Sequence, residues 1–322
     1  MAVFTPVGSD ALERWLADFE IGEIIEFSGI ASGIENSNFF LTTTRGSYVL
    51  TLFERLQASE LPFYLELMRH LAAHGTPCPA PLANRSGALF GILEEKPAAL
   101  VTRLPGHSVA HPSSHQCALA AAGMARMHEA ALGFPLQQPN LRGLSWWQET
   151  VPLVLPYLEP GQATLLSDEL AFQVEHLAPA LSQLPFGPIH ADLFRDNALF
   201  EGDQLGGFID FYFAGCDTWL FDVAVALNDW CIELATGAFL VDRANAFLQA
   251  YAKVRIFTER ERALWPVMLR AAALRFWLSR LWDIYRPRPA TLLTPHDPIH
   301  FERILRRRRE AQPGDLPTLP AG

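Results

Sequence analysis

The spacing of hydrophobic residues changes about a third of the way along the chain. Between residues 21 and 104 apolar and polar positions alternate in short runs. Residues 37–43 and 47–53 read as strands joined by a tight turn at Thr44-Arg45-Gly46. Residues 88–93 and 98–103 read as two more strands. One helical stretch interrupts them, at 59–74, where Leu61, Tyr64, Leu65, Met68 and Leu71 recur with helical spacing before Gly75. A shorter helix is expected within residues 1–20. After Pro105-Gly106 the pattern becomes helical. Ser113 can cap a helix running to Leu132, and aromatic-rich helices continue from Trp219 to about Arg309. The closing QPGDLPTLPAG reads as a frayed tail. This order predicts a β-rich unit over 1–104, a helical unit over 105–312 and a tail over 313–322.

One stretch stands apart, IHADLFRDNALFEGDQLGGFIDFYF at residues 189–213. Asp192 follows His190 by two, Asn197 follows Asp192 by five, and Asp210 comes thirteen later inside an apolar run. Residues 197–200 and 206–211 read as the strands of a hairpin turning at Glu201-Gly202-Asp203, with an oxygen-bearing side chain at each end. A lone His-x-Asp is common; the two halves together suit phosphoryl transfer, where a protein positions a nucleophile and neutralises charge. An ionised Asp192 only accepts hydrogen bonds and can take a hydroxyl proton. Asn197 and Asp210 offer the hard oxygen ligands that Mg²⁺ prefers. His190 shares a face with Asp192 on an extended approach, as a prop for the loop or as a participant.

Composition narrows the partners. The 322-residue chain is 50% hydrophobic and 11% aromatic, enough for a sizeable core, and its formal net charge of −10 argues against nucleic acid or an anionic membrane. The run Arg306 to Arg309 is a local exception, read as a solvated helix end. Cys78, Cys117, Cys216 and Cys231 form no CxxC pair, which predicts reduced thiols and a cytoplasmic protein. No signal segment is read at the start, and no apolar run reaches membrane-spanning length.

The runs HADLFRDN and IDFYFAG resemble the aminoglycoside phosphotransferase and choline kinase group. YVLTLFE, LPFYLELMRHL, WLFDVAVALNDWC and ALRFWLSRLWD resemble, more narrowly, the second type of homoserine kinase. The resemblance implies an α+β, protein-kinase-like, two-lobed fold, with a small antiparallel β lobe holding one helix and a larger, mainly helical lobe. It implies ATP and Mg²⁺ as cofactors and L-homoserine as the small-molecule acceptor, on the way to threonine. In such a fold the turn at 28–38 would cover the phosphates through Ser32, Gly33, Asn36 and Asn38. Val101 and Arg103 would lie on the strand that meets adenine. The strand lysine of kinases is replaced by Thr51, with Arg55 as the nearest substitute cation and Glu60 or Glu66 as its acid.

Homoserine presents a carboxylate and an ammonium beside its hydroxyl, so its pocket needs a cation and an anion. Arg195, Asp229, Arg275, Arg280 and Asp283 are the candidates. Arg275 lies roughly 140° around a helix from Arg280, so they cannot all face one ligand. Asp222 resembles the acid that braces the catalytic loop in this group, and His128 reads as a core histidine. Two other readings stand beside this one: a kinase of choline or an aminoglycoside, and a nucleotide-binding protein without transferase activity, which Thr51 keeps open.

Overall fold

The computed structural model describes residues 4–30, 36–286, 296–312 and 314–321. They fall into two compact units, Met1–Pro105 with Gly207–Ile209, and Gly106–Gly206 with Asp210–Gly322.

The first unit carries α1 (Ser9–Leu16), β1 (Ile24–Gly29), β2 (Ser37–Thr43), β3 (Gly46–Leu52), α2 (Leu61–Ala73), β4 (Gly91–Leu93) and β5 (Lys96–Thr102). The strands form one antiparallel sheet in the order β1-β2-β3-β5-β4. Alternation sets which face is buried: Phe39 and Leu41 of β2 join Leu50, Leu52 and Leu100 in a core closed by Leu12 and Leu16 of α1. Each fully buried leucine contributes about 1.5–3 kcal/mol. The strand expected at 88–93 is shorter, because Asn84 Oδ1 accepts the N–H groups of Ser86 and Ala88 and holds that stretch in a turn. Gly207 adopts φ 141°, where a β-carbon would collide with the Pro77 carbonyl. That close approach lets Phe208 N–H donate to Pro77 O at 2.8 Å, tying 207–209 to this unit.

The second unit carries α3 (Ser114–Ala130), α4 (Leu144–Val154), α5 (Pro160–His176), β6 (Phe186–Ile189), β7 (Ala198–Glu201), β8 (Gln204–Phe208), β9 (Gly215–Thr218), α6 (Trp219–Trp230), α7 (Val241–Ala252), α8 (Glu259–Tyr285) and α9 (Ile299–Glu310). β8 runs across the boundary into the first unit's short return. Ser113 and Gln116 form a reciprocal capping box at the start of α3. Every residue of α6 is buried, including Asp222, Asn228 and Asp229. A helix buried all round must satisfy its polar side chains internally: Asp222 and Asp229 bond to the loop at 190–195, and Asn228 bonds to Leu269 O and Arg308.

Three expectations are corrected here. β8 ends at Phe208 rather than 211, because Asp210 turns into the left-handed region (φ 64°, ψ 59°) and a 3₁₀ turn follows over Phe211–Phe213. The tail is docked rather than frayed: Leu319 is 3% exposed, and Pro317 O accepts the indole N–H of Trp265 at 2.8 Å. The arginine run is not uniformly solvated. Arg308 is buried over the Phe239 ring, donating to Asn228 Oδ1 at 3.0 Å and Gly237 O at 2.9 Å.

Candidate active site

β6 delivers the chain into a loop held from below by α6. Ala191 sits at φ 63°, a conformation that costs a non-glycine residue roughly 1–2 kcal/mol. Asp222 offsets that cost by accepting the N–H groups of His190 at 3.0 Å and Ala191 at 2.8 Å. It also accepts from His128 Nε2 at 2.9 Å, while His128 Nδ1 lies 2.8 Å from the Tyr251 hydroxyl. A carboxylate only accepts, so His128 Nε2–H donates to Asp222. Burial alone would push the Asp222 carboxyl up; the bond and charge of His128, with His190, outweigh it and hold it below its usual range. The expectation of His128 as a core histidine understates it, since it fastens the loop's brace.

Within the loop, His190 is fully buried, packs on the Phe211 ring at 4.6 Å, and accepts the Asp192 N–H on Nδ1 at 3.3 Å. That geometry makes it a prop for Asp192. Leu193 O accepts the indole N–H of Trp230 at 3.0 Å. Asn197 Nδ2 donates to Asp192 O at 2.9 Å, which turns its amide oxygen the other way. An amide oxygen fixed in this manner suits a hard cation, and Asp210, held left-handed at the end of the hairpin, adds a carboxylate. Among the described residues no three His, Cys, Asp or Glu side chains gather as a metal cage. Mg²⁺ is usually held by one or two protein oxygens plus substrate phosphates and waters, and Asn197 and Asp210 are the candidate pair.

The acceptor candidates separate. Arg195 and Asp229 bind each other: Asp229 Oδ2 accepts Arg195 N–H at 2.8 Å and Nε–H at 3.0 Å, while Nη2 donates to both Oδ1 and the main-chain oxygen of Asp229. Nη1 donates to Ala110 O at 3.0 Å. Both residues are buried, so this pair clamps the loop onto α6 and its donors and acceptors are spent on protein. Arg275 is 4% exposed and lies over the Phe276 ring at 3.7 Å, away from the surface. Asp283 is exposed near the end of α8. Arg280 stays open to a ligand. Its guanidinium rests over the Phe301 ring at 4.5 Å and donates to Asp297 O at 2.7 Å. Burial pulls its proton affinity down, while Asp229, Asp297 and Asp192 draw it back.

Phe194, Phe276 and Phe301 stack beside it, with centroids 4.4, 5.8 and 5.0 Å apart pairwise. The sequence reading passed over two groups here. His300, beside Phe301, loses proton affinity through burial and the Arg280 charge. Asp196 reaches solvent, yet desolvation, ahead of the Asp229 charge, pushes its carboxyl above the usual range. The signal for Asp196 was its place inside the loop motif, between Arg195 and Asn197.

In the first unit, Ser32 and Gly33 lie outside the described residues. Asn36 is buried, and Asn38 Oδ1 accepts the Thr51 hydroxyl at 2.8 Å, so Thr51 and Asn38 lock β2 to β3 where a kinase would carry its lysine. Arg55 is half-buried just beyond β3. Glu66 pairs with Arg69 at 2.5 Å and Glu60 accepts Gln57 N–H at 2.8 Å, so both serve α2. Glu54 pairs with Lys96 at 3.4 Å and accepts the Ser37 hydroxyl at 2.6 Å. Val101 is buried in register with Val49, and Arg103 lies on the Phe40 ring at 3.9 Å while its N–H donates to Ser47 O.

A five-stranded antiparallel unit, a helical unit and a loop with Asp192, Asn197 and Asp210 define a protein-kinase-like phosphotransferase. Solved structures agree on the fold: an amicoumacin kinase superposes with TM-score 0.68 at 17% identity, covering 98% of this chain and 96% of that one. The choline kinase of Cryptosporidium parvum gives 0.63 at 14%, covering 88% and 89%. The sequence model of the phosphotransferase enzyme family matches residues 26–301. The homoserine kinase of Paraburkholderia xenovorans is 58% identical over 317 residues, 96% of each chain, and that of a Janthinobacterium species is 57% identical over 311, 96% of this chain and 97% of that one. The chain belongs to the phosphotransferase enzyme family and, within it, to the homoserine kinases.

Proposed function

We propose that the protein transfers the γ-phosphoryl group of ATP to the side-chain hydroxyl of L-homoserine, giving O-phospho-L-homoserine and ADP. The observation that carries this is kinship at 58% identity along 96% of the chain with a homoserine kinase. The loop geometry supports the chemistry. Asp192, oriented by His190 and Asn197, accepts the hydroxyl proton as the oxygen attacks phosphorus. Asn197 and Asp210 hold Mg²⁺, which when bound would neutralise charge on the phosphate oxygens. The main chain around Ser32, Gly33, Asn36 and Asn38 receives the phosphates, with Arg55 as the nearby cation. Val101 and Arg103 lie toward adenine. On the acceptor side Arg280 takes the carboxylate, against the wall of Phe194, Phe276 and Phe301. Arg195 and Asp229 serve by fixing the loop rather than by touching substrate.

The test is ADP release with ATP and a panel of L-homoserine, choline, ethanolamine and an aminoglycoside. Homoserine should exceed every other acceptor by at least tenfold in kcat/KM, because a ligand without a carboxylate leaves Arg280 unpaired. Faster turnover of choline would move the protein to another acceptor while leaving the kinase chemistry intact. ATP binding with no acceptor turned over would favour a protein without transferase activity.

A further inference from the structure

We propose that Tyr251 is a positioning residue for phosphoryl transfer. Its hydroxyl holds the His128 ring in the one orientation that supports Asp222, and Asp222 in turn holds the loop that carries Asp192. This deepens the reading of that loop as the catalytic one and rests on it.

A line of buried hydrogen bonds runs on past His128. Tyr251 stands on the last turn of α7 and is fully buried. Its hydroxyl lies 2.8 Å from His128 Nδ1, and His128 Nε2 donates to Asp222 Oδ2 at 2.9 Å. Behind it, Arg255 reaches the same hydroxyl at 3.5 Å and donates to Glu261 Oε1 at 2.7 Å. Glu261 Oε2 accepts the Thr258 N–H at 2.8 Å, within the capping box that starts α8. The line therefore joins a helix start to the main-chain N–H groups of His190 and Ala191, and no residue in it from Asp222 to Glu261 is more than 8% exposed.

Stacking alone does not set the ring. His128 lies flat against Trp219, with 5.6 Å between centroids and 4° between planes. That contact fixes the plane of the imidazole but not which edge faces Asp222. A half-turn about the Cβ–Cγ bond keeps the plane and exchanges nitrogen for carbon at both edges. With Tyr251 in place, the flipped ring loses two hydrogen bonds. Without the hydroxyl it loses one, and the unflipped ring is left with a buried Nδ1 that has no partner there, the costly state for a polar group. Ala191, held at φ 63° by Asp222, is the residue that relaxes when this support weakens. A shift there moves Asp192, and a misplacement of about 1 Å can cost about a hundredfold in rate.

The test is Tyr251→Phe, which deletes one oxygen and keeps the ring stacked on Phe257 at 5.0 Å. Its kcat should fall about tenfold, while the KM values for ATP and for the acceptor stay within about twofold. Hydrogen exchange at the amides of His190 and Ala191 should quicken about tenfold. Leu166→Val is the control for stability. It removes buried volume from α5, and should lower the thermal midpoint without moving kcat. His128→Gln keeps a donor at the Nε2 position and has no atom at the Nδ1 position. On that background Tyr251→Phe should cost nothing further in kcat, since the hydroxyl has already lost its partner. A kcat for Tyr251→Phe within about twofold of wild type overturns the proposal. So does an equal fall for Leu166→Val, which would make the effect one of general loosening. An additive fall in the double variant overturns it as well, because Tyr251 would then act by another route. If wild type phosphorylates no acceptor, the reaction reading falls on its own, and exchange at His190 and Ala191 still judges whether Tyr251 holds the loop.

Discussion

The carboxylate of Asp222 accepts the main-chain N–H of Ala191 at 2.8 Å, and Ala191 is one of the few non-glycine residues at positive φ. A strained residue immediately before Asp192 is thus held by a buried acid on α6, and that acid is held by His128. The pair sets a pH dependence. Asp222 has its folded-state value depressed below its unfolded one, so its contribution to stability is complete above about pH 4 and is lost as pH falls through the folded value. His128→Gln removes the charge that depresses it. The variant should be less stable than wild type at pH 7, and the gap in urea unfolding should narrow as pH drops toward 3. A gap that stays constant to pH 3 would mean that His128 does not act on this carboxyl.

Asp192→Asn should fold and bind ATP with turnover down by about 10²–10⁴-fold, the usual contribution of a positioned base. Retention of a tenth of wild-type kcat would remove Asp192 from that role. Asn197→Ala and Asp210→Ala should both raise the Mg²⁺ concentration at half-maximal rate, since each deletes an oxygen ligand. An unchanged Mg²⁺ curve for Asp210→Ala would reject it as a ligand.

Arg195→Ala and Asp229→Asn should act mainly through stability. Each breaks a buried, hydrogen-bonded ion pair and leaves its partner stranded, at about 3–5 kcal/mol. Unfolding free energies measured in denaturant decide it. A loss under about 1 kcal/mol with a raised homoserine KM would return Arg195 to the acceptor ligands.

Arg308 is buried without a carboxylate among the described residues, and burial pushes its guanidinium down to about 9. Its folded value lies below its unfolded one, so the charge is unfavourable in the fold at every pH below about 9, and stability should rise as pH climbs past it. Arg308→Met keeps the stem over Phe239 and deletes the charge. It should leave the thermal midpoint unchanged or raised. A fall of several degrees would show that the bonds to Asn228 and Gly237 outweigh the desolvation.

The fold was legible where its cause is local. The hairpin of β2 and β3 follows from alternation around Thr44-Arg45-Gly46, and α3 follows from Ser113 and Gln116. The loop at 190–197 was legible because its spacing is fixed locally: Asp192 and Asn197 sit five apart, and the amide reaches back to Asp192 O. Asp210 was found as a residue but misplaced as part of a strand, since a left-handed backbone leaves no mark in hydrophobic periodicity.

By itself, then, the sequence determined the β-rich and helical halves, the loop and the class of reaction, all of which depend on neighbours within a few residues. Only the tertiary structure decided which charges are spent. Arg195 and Asp229 lie 34 residues apart, and His128 and Asp222 lie 94 apart, yet each pair is closed by the packing of α6. The same packing buried Arg308 and Leu319 and left Arg280 open. A side chain's type says that it can bear charge. Whether that charge meets a partner, a ring or a substrate depends on which helix faces it, and distant segments settle that together.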